Sequence, residues 1–427
     1  MADPNVLDRM RSDWNERARE DANYYVAFGR REQQDDEFFA SAAPTVTVLE
    51  AELKRLPGRD AALEIGCGPG RLLKPMSRHF RTVEGVDVSD EMIRLARQKL
   101  QDVPNARVHA TNGAELSLFA ADTFDLVYSY AVFQHIPSRE VVFRYLEESR
   151  RVLKQDGILH CQINGLPQTA AHYSTWDGVR ISAAEVMDFA REHDLQLLAL
   201  QGDRTQYMWA IMRKRPAGWS RALAWHPNRA LLRNINNTLT GEAAVPSAGH
   251  MAALALWIEH LPPDCDLNNL AVLADGRPCR LIYLGHPTRD GVCQLNATLP
   301  EGTRTGLLTV EVRWLGQPLC RGTARLIPPG PAVPVLCSIT DGINLLAPHR
   351  TQSGTFKAII VELDHPERFT AEIGGAPVRD LDTFCTDPVT QRYEFNFHVP
   401  EGLPPGPHEL VMRIGRRLLP RITVEVA

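Results

Sequence analysis

The segment most able to do chemistry is Glu64–Gly70 (EIGCGPG), which lies between a strand-like run and a helix-like run. Glycine at alternate positions lets the backbone turn tightly and approach a ligand where a Cβ would collide. The amide groups at the start of the following helix then face that ligand. A dinucleotide fingerprint would need glycine where Arg71 stands, so pyrophosphate binding is disfavoured. Glu64, acidic at the end of its strand, suits a ligand that carries an amino group or a positive charge.

Three further polar positions follow neighbouring strands and are expected at the same edge of the sheet. Asp87 closes the next strand, where a carboxylate can accept both hydroxyls of a ribose. Asn112 follows the third strand and could contact an adenine edge. The loop 130–137 (YAVFQHIP) follows the fourth strand, at the edge where open α/β sheets bind ligands. The pattern therefore predicts a nucleoside site.

These residues must be positioned by the elements before residue 215, where strand-like and helix-like runs alternate. Predicted strands are Ala61–Ile65, Thr82–Val86, Ala106–His109, Phe124–Tyr128, Gly157–Ile163, Leu195–Leu200 and Thr205–Met212. Predicted helices are Leu72–Arg78, Asp90–Leu100, Glu140–Leu153 and Ser182–Glu192, with Ser89 as the N-cap of the second. This predicts an α/β domain with a seven-stranded, mostly parallel sheet that ends in an antiparallel hairpin.

The rest of the chain reads as all β. Short alternating strands are separated by Pro/Gly turns, as in β-sandwiches. An internal repeat is present, because the turn Leu299–Gly302 recurs as Val399–Gly402, one hundred residues later (400 − 300), with matching apolar positions on both flanks. We expect an N-terminal helical lid at 1–43, the α/β domain at 44–215, a linker at 216–246, and two immunoglobulin-like sandwiches at 247–330 and 331–427.

Over residues 44–213 the chain resembles the class I S-adenosylmethionine-dependent methyltransferases of the small-molecule type. The acidic-x-Gly-x-Gly-x-Gly loop, the strand end 85–89 (GVDVS), the run 124–127 (FDLV) with its continuation 133–137 (FQHIP), and the run 153–159 (LKQDGIL) occur in the family's order. The resemblance implies a Rossmann-like methyltransferase domain, S-adenosylmethionine as cofactor and S-adenosylhomocysteine as product.

The resemblance also assigns roles to individual positions. It implies that the methionine part of the cofactor lies on the glycine loop, the ribose on Asp87 and the adenine beside Asn112, where the family usually has aspartate. The implied cofactor-binding residues are Glu64, Gly66, Cys67, Gly68, Gly70, Asp87, Val88, Met92, Asn112, Gly113, Tyr130 and Gln134. Cys67 lies inside the loop and is interpreted as a small residue with a backbone role rather than as a nucleophile.

Methyl transfer from a sulfonium is an in-line displacement, so the protein mainly aligns the acceptor and excludes water. A base helps only when the acceptor still holds its proton. His135 is the candidate base and Tyr130 the second candidate catalytic residue; the alternatives are a histidine bonded to backbone and a packing tyrosine. Candidate acceptor-binding residues are Tyr24 and Tyr25 in the lid and His172 and Trp176 in the long loop after the fifth strand.

Charge and composition limit the partners. The formal net charge is −5, so no overall positive field favours nucleic acid, and the acceptor is expected to be a small molecule or a saccharide, methylated on oxygen or nitrogen. The eight cysteines form no CxxC pair, so no metal site is expected. The lack of an apolar leader or spanning run favours a cytoplasmic protein. The alternative is a non-catalytic cofactor-binding scaffold whose sandwiches bind a glycan or a partner or mediate oligomerisation.

Overall fold

The computed structural model describes residues 4–27, 31–330, 333–345, 347–387 and 390–427, so residues 1–3 and 28–30 of the expected lid and parts of the second sandwich lie outside it. The α-helices are α1 (Pro4–Ala27), α2 (Asp35–Ala40), α3 (Ala43–Glu52), α4 (Leu73–Met76), α5 (Asp90–Lys99), α6 (Arg139–Val152), α7 (Ala183–Glu192) and α8 (Trp219–Ala222). Short 3₁₀ turns occur at Leu53–Arg55, Ser77–His79, Phe133–His135 and Pro366–Arg368.

The strands of the α/β domain and of the β-rich half are numbered together along the chain. The α/β domain contains β1 (Ala61–Ile65), β2 (Thr82–Asp87), β3 (Ala106–Ala110), β4 (Phe124–Ser129), β5 (Leu153–Ile163), β6 (Leu195–Gln201) and β7 (Met208–Lys214). The next strands are β8 (Leu231–Asn237), β9 (Ala244–Pro246), β10 (Ala253–Glu259), β11 (Leu270–Ala274), β12 (Arg277–Pro278), β13 (Arg280–Leu284), β14 (Val292–Thr298), β15 (Gly306–Trp314) and β16 (Gln317–Ile327). The last are β17 (Val335–Asp341), β18 (Arg350–Thr351), β19 (Thr355–Val361), β20 (Phe369–Ile373), β21 (Ala376–Pro377), β22 (Arg379–Asp387), β23 (Arg392–His398), β24 (Gly406–Ile414), β25 (Arg417–Leu418) and β26 (Ile422–Val426).

The first seven strands form the predicted sheet, in the order β3-β2-β1-β4-β5-β7-β6. Strands β1 to β5 pair in parallel, and β7 is antiparallel to both of its neighbours, which confirms the expected terminal hairpin. Every residue of β1 and of β4 is buried because helices cover both faces of a parallel sheet. The carboxyl ends of β1, β2, β3 and β4 therefore meet at one edge, where the predicted site lies.

The α/β sheet does not end at β6. Strand β6 pairs with β13, and the sheet continues through β14, β10 and β8 to a total of eleven strands. A second connection forms where the Leu197 carbonyl accepts from the Leu267 amide at 2.9 Å and the Leu197 amide donates to Asp266 at 3.2 Å. The first sandwich and the α/β domain accordingly share one hydrophobic core.

Part of the segment expected to be a linker is folded. Within 216–246, β8 pairs with β10 and β9 pairs with β16 of the first sandwich. The sequence of β8 (LLRNINN) has few alternating apolar residues, and most of its side chains are at least partly exposed, so periodicity does not reveal it.

The hundred-residue repeat is confirmed by the structure. Strands β14 and β15 flank the first Pro-Glu-Gly turn, and β23 and β24 flank the second. Their matched positions are buried in both copies, for example Leu295 and Phe395 or Val310 and Leu410. The second copy has its own core of aromatic and aliphatic side chains.

The N-terminal helix α1 lies against α5. Its path is broken at Asp21, whose backbone is not helical (φ −168°, ψ 87°). The Asp21 carboxylate accepts from the amide of Tyr24 at 3.0 Å, which satisfies a donor freed by the break, and from the amide of Glu32 at 2.7 Å. Within the described ranges, no helix is long and apolar enough to cross a membrane.

Candidate cofactor and acceptor site

The glycine loop follows β1 and turns tightly at the edge of the sheet. Gly66 (φ 72°) and Gly68 (φ 50°) adopt the left-handed conformation that favours glycine. A Cβ on Gly66 would lie 2.3 Å from the Val132 side chain, so no other residue fits there. The amides of Gly66 and Cys67 both donate to the Val86 carbonyl, at 2.8 and 3.0 Å. The turn is thus fixed by β2 on one side and by the loop after β4 on the other.

Asp87, at the end of β2, holds the glycine loop directly. One carboxylate oxygen accepts from the Gly68 amide and the other from the Ser89 amide, both at 2.9 Å. Burial raises the pKa of Asp87, and these backbone hydrogen bonds act in the opposite direction. Ser89 caps α5 as predicted, because its hydroxyl accepts from the Met92 amide at 3.1 Å. Asp87 therefore orders the site in addition to its predicted ribose contact.

Glu64 is a buried carboxyl with few partners. Only 4% of the residue is exposed, and the Tyr128 hydroxyl donates to its carboxyl at 3.2 Å. Burial raises the pKa of Glu64 to about 8, an effect that the nearby positive charge of Arg71 only partly offsets. At neutral pH this carboxyl is mostly protonated until a cation approaches it.

Arg71, directly after the loop, is a buried guanidinium with an unused donor. It is 6% exposed, one terminal nitrogen donates to the Ser41 carbonyl at 3.1 Å, and the guanidinium carbon lies 5.5 Å from the centre of the Tyr130 ring. Its Nε has no hydrogen-bond partner in the described part of the chain. A buried guanidinium with a free N–H is suited to a carboxylate.

The residues predicted to bind adenine differ in burial. Met92 is buried and packs in a small cluster with residues of α1, and Val88 lies within contact distance of Gly113. Asn112 is exposed, and its side-chain oxygen already accepts from the amides of Ala114 and Glu115, at 3.0 and 3.1 Å. The structure thus gives Asn112 a turn-forming role, and its contact with adenine stays a prediction.

Helix α1 covers this edge of the sheet. The Val26 side chain lies 3.2 Å from the position a Cβ of Gly68 would take, and Met10 lies 3.7 Å from that of Gly113. The Asn15 side chain accepts from the Ser89 hydroxyl at 2.7 Å. Helix α1 therefore packs over the glycine loop, and its role as a lid stays a prediction.

His135 lies under two tryptophans. Its Nδ1 donates to the Trp176 carbonyl at 2.7 Å, and its Nε2 lies 3.2 Å from the Gln134 amide nitrogen. The rings of Trp14 and Trp176 are 5.5 and 5.6 Å away, centre to centre. Burial lowers the pKa of His135 to about 4, so the ring is neutral at pH 7 and a weak base.

The other residues after β4 join a polar network with β5 and β7. Tyr130 stacks on Trp209 with ring centres 5.4 Å apart. Gln162 donates to the Gln134 side chain at 2.6 Å and accepts from the amide of Ala131 at 2.8 Å. Ala131 has a positive φ of 55°, a conformation that costs free energy and clusters at functional sites.

The lid and the loop after β5 meet above His135. Thr175 donates to Asp13 at 2.5 Å and accepts from Arg17 at 3.1 Å, and the Arg17 guanidinium lies over the rings of Trp14 and Trp176. Of the predicted acceptor-binding residues, Tyr24, Tyr25 and Trp176 form a chain of edge-to-face ring contacts, 5.4 Å and 6.3 Å between centres. His172 is exposed on the same loop, and its role stays a prediction.

Sequence reasoning missed several of these residues. Arg71 was noted only as a break in a glycine pattern, and no binding role was predicted for it. Gln162 lies in a strand that was predicted without a functional role. A signal for Arg71 was nevertheless present, because a charged residue between a glycine loop and a buried apolar helix has few routes to solvent.

Two buried histidines predict acid sensitivity. Burial lowers the pKa of His135 and of His160 to about 4, whereas an unfolded chain protonates histidine near 6.5. The unfolded state therefore gains protons first as pH falls, and the free energy of unfolding should drop by about 2 kcal/mol per histidine at pH 5. Urea unfolding at pH 7 and pH 5 measures this loss. We expect H160Q to remove a corresponding part of it, and an unchanged pH dependence in that variant would contradict the assignment.

With this geometry in place, comparisons define the class of the α/β domain. Residues 63–161 match a family model described as a methyltransferase domain. The chain is 31% identical over 117 residues to a trans-aconitate 2-methyltransferase from Afipia carboxidovorans, which covers 27% of this chain and 42% of that protein. It is also 31% identical over 110 residues to a ubiquinone biosynthesis O-methyltransferase from Cereibacter sphaeroides, covering 26% and 43% of the two chains.

A solved structure also aligns with the chain. Phosphoethanolamine N-methyltransferase 1 from Haemonchus contortus, in complex with phosphoethanolamine and S-adenosylhomocysteine, aligns with a TM-score of 0.39 and 14% identity over 51% of each chain. The matched segment spans less than half the length of the two curated relatives. The α/β part of this protein is a class I methyltransferase domain with a Rossmann-like fold, and S-adenosylmethionine is its cofactor.

The buried residues of the site fit that cofactor. Its methionine part carries one ammonium and one carboxylate, and the site contains one under-partnered buried carboxyl, Glu64, and one buried guanidinium with an unused donor, Arg71. Both flank the loop that Asp87 fixes. Glu64 would hold the ammonium, Arg71 the carboxylate and Asp87 the ribose. Cys67 is buried and its pKa is raised by burial, so its thiol is not an activated nucleophile.

Proposed function

We propose that this protein is an S-adenosylmethionine-dependent methyltransferase acting on a small molecule. The observation that carries the proposal is the pair of buried ionisable side chains, the Glu64 carboxyl and the Arg71 guanidinium, on either side of a glycine loop held by Asp87. A structural loop has no need of two buried ionisable groups with unused hydrogen-bonding capacity, because each is costly without a partner. The two curated relatives, named for trans-aconitate and for ubiquinone biosynthesis, support a small-molecule acceptor.

In this function the chain positions the reactants. When bound, S-adenosylmethionine supplies a methyl group already activated on its sulfonium. The network of Tyr130, Gln134 and Gln162 would fix one side of the acceptor pocket, and Trp14 and Trp176 would exclude water above His135. Alignment and exclusion of water then supply most of the rate enhancement.

Cofactor binding tests the proposal directly. Isothermal titration with S-adenosylmethionine and S-adenosylhomocysteine should give micromolar or tighter dissociation constants, and native mass spectrometry of freshly purified protein should detect retained cofactor. If neither compound binds at millimolar concentration, the proposal is wrong. The variant D87N, which removes the carboxylate that holds the glycine loop, should bind both compounds more weakly. D90N makes the same charge change at an exposed residue of the α5 N-terminus and is the matched control.

The role of His135 is open to a separate test. Asparagine at this position retains a side-chain N–H that can donate to the Trp176 carbonyl but cannot act as a base. Because the pKa of His135 is about 4, we expect H135N to keep turnover within about tenfold of the wild type, whereas a general base contributes about 10² to 10⁴ in rate. A loss of that size, with unchanged cofactor affinity, would instead support the sequence-based assignment of His135 as base.

The scaffold alternative receives less support from the β half. Glycan-binding modules present exposed aromatic platforms, but Trp314 is 1% exposed and the Trp257 indole donates to Asn236 at 2.8 Å. Trp314 is therefore buried, and Trp257 is half-buried with its indole N–H engaged, so neither is a fully exposed platform.

A further inference from the structure

The outer face of one sheet in the second sandwich is unexpectedly covered. In the sheet β17-β19-β23-β22, Phe356, Phe395 and Phe397 point into the sandwich core, so Lys357, Arg392, Glu394 and Asn396 point outward. We call these four residues the covered face. The paired side chains of Lys357 and Glu394 are only 12% and 16% exposed. By contrast, the pair Arg413 and Glu372 on the other sheet is 39% and 43% exposed.

The methyltransferase domain lies against this face. Glu394 and Arg392 both act electrostatically on the hydroxyl of Tyr207, which also lies close to Gln134 of the acceptor-side network. The Cys385 thiol, on the edge strand β22, lies close to Thr205 in the loop between β6 and β7. On the opposite flank His250 of the first sandwich lies 3.0 Å from Asp364. The second sandwich is therefore docked beside the residues that follow β4.

The lid approaches the same module. Asp341 at the end of β17 acts electrostatically on the Tyr24 hydroxyl of α1. Helix α1 thus lies between the glycine loop, which it covers through Val26, and the second sandwich. Helix α1, the β6–β7 loop and the covered face therefore adjoin one another.

The covered face is positively charged and has unused polar atoms. Glu394 is shared by two cations, Lys357 at 2.9 Å and Arg392 at 3.0 Å, which leaves a net charge of +1. In the cross-strand row Thr340–Lys357–Asn396, the Thr340 hydroxyl and the Asn396 side-chain oxygen are buried with no hydrogen-bond partner in the described ranges. Buried polar atoms of this kind are normally satisfied by a ligand or by water.

The candidate base His135 is not available to take a proton from the acceptor. Both ring nitrogens of His135 are already engaged, Nδ1 by the Trp176 carbonyl and Nε2 by the Gln134 amide. An acceptor that is already ionised at neutral pH needs no base, since its nucleophilic oxygen has no proton to lose.

On these observations, and resting on the proposed function, we propose that the second sandwich forms a wall of the acceptor pocket and that the acceptor is a carboxylate. A carboxylate oxygen bonds to the methyl carbon as the carbon–sulfur bond breaks, and the electron pair of that bond stays on sulfur. The products are a methyl ester and S-adenosylhomocysteine, and no proton moves. Lys357 and Arg392 are specificity-determining residues that attract the anionic acceptor.

The docking is tested by cross-linking in the full-length chain. T205C places a thiol next to Cys385, and mild oxidation should join them in a disulfide that peptide mass mapping detects. T205C/C385S cannot form this bond and is the matched control. If the 205–385 disulfide does not form while the control behaves as expected, the second sandwich is not docked there and the proposal is overturned.

The charge selection is tested by ligand binding to the protein saturated with S-adenosylhomocysteine. The probes are trans-aconitate as carboxylate, glucose 6-phosphate as phosphate and glucose as a neutral compound. We expect trans-aconitate to bind the wild type and E372Q/R413Q equally, and K357M/R392M/E394Q about tenfold more weakly. E394Q alone raises the charge of the covered face to +2. This variant should bind trans-aconitate about two- to fivefold more tightly than the wild type does.

Several outcomes would overturn the proposal. These are failure of trans-aconitate to bind, binding of glucose 6-phosphate in its place, equal binding of glucose, or unchanged binding in both covered-face variants. Binding of S-adenosylhomocysteine, measured first in every variant, separates this result from the proposed function, which fails only if the cofactor product does not bind. Base-labile radioactivity after incubation with methyl-labelled cofactor and trans-aconitate would identify the ester.

Discussion

The variant D87N is expected to bind S-adenosylmethionine about 100-fold more weakly than the wild type, a loss of about 3 kcal/mol. Both carboxylate oxygens of Asp87 accept backbone N–H groups, one from the glycine loop and one from the start of α5. Asparagine has a single acceptor oxygen, so one of these hydrogen bonds is lost, and the negative charge that would bind the ribose is lost with it.

The measurement is isothermal titration with two ligands, S-adenosylmethionine and 5′-methylthioadenosine. The second retains the nucleoside but lacks the amino acid part, and D87N should weaken both to a similar extent because the ribose is common to them. D90N, at an exposed position three residues along, should bind both as the wild type does. Wild-type affinity in D87N would show that the carboxylate does not serve the nucleoside.

Cofactor binding at pH 7 is expected to release close to one proton. The pKa of free Glu64 is about 8, so about 90% of this carboxyl is protonated at pH 7, and an ammonium group placed beside it would lower that pKa. A group whose pKa falls on binding makes the affinity rise with pH, here by up to about tenfold per pH unit, until about pH 8. Isothermal titrations with S-adenosylmethionine in buffers of different ionisation enthalpy measure the number of protons released on binding.

The variants E64Q and R71M separate this effect from general damage. E64Q should release no proton, and both variants should lose about 10- to 100-fold in affinity for S-adenosylmethionine. Neither should change the affinity for 5′-methylthioadenosine, which lacks the ammonium and carboxylate. A parallel loss for both ligands would mean that the two side chains support the fold rather than the amino acid part of the cofactor.

The α/β domain could be predicted from sequence almost completely. The bounds of β1 are those expected, and β2 to β4 differ by one residue, because each is a short strand-like run bounded by turn residues. Strand β7 begins at Met208 rather than at Thr205, since Thr205 and Gln206 turn back to contact Gly165 and Gln162 instead of continuing the ladder. Local pattern does not contain such tertiary contacts.

The site was predictable where chemistry depends on a short motif and not where it depends on packing. Gly66 and Asp87 lie at adjacent strand ends, as parallel pairing requires. The neutrality of His135 and the burial of Arg71 come from distant segments, namely α1, the loop after β5 and the residues before α3. The position of the second sandwich beside the α/β domain could not be predicted either, because Glu394 and Tyr207 are separated in sequence by almost half of the chain.

The eleven-stranded sheet joins the α/β domain to the first sandwich. Cutting the chain at residue 215, where the composition changes, would remove the Tyr283 partner of Ala199 in β6 and the Leu267 and Asp266 partners of Leu197, leaving these backbone groups unpaired. Bare edges of this kind promote aggregation. A shorter protein is therefore better ended near residue 330, after the first sandwich, so that β6 keeps these partners and the shared core stays whole.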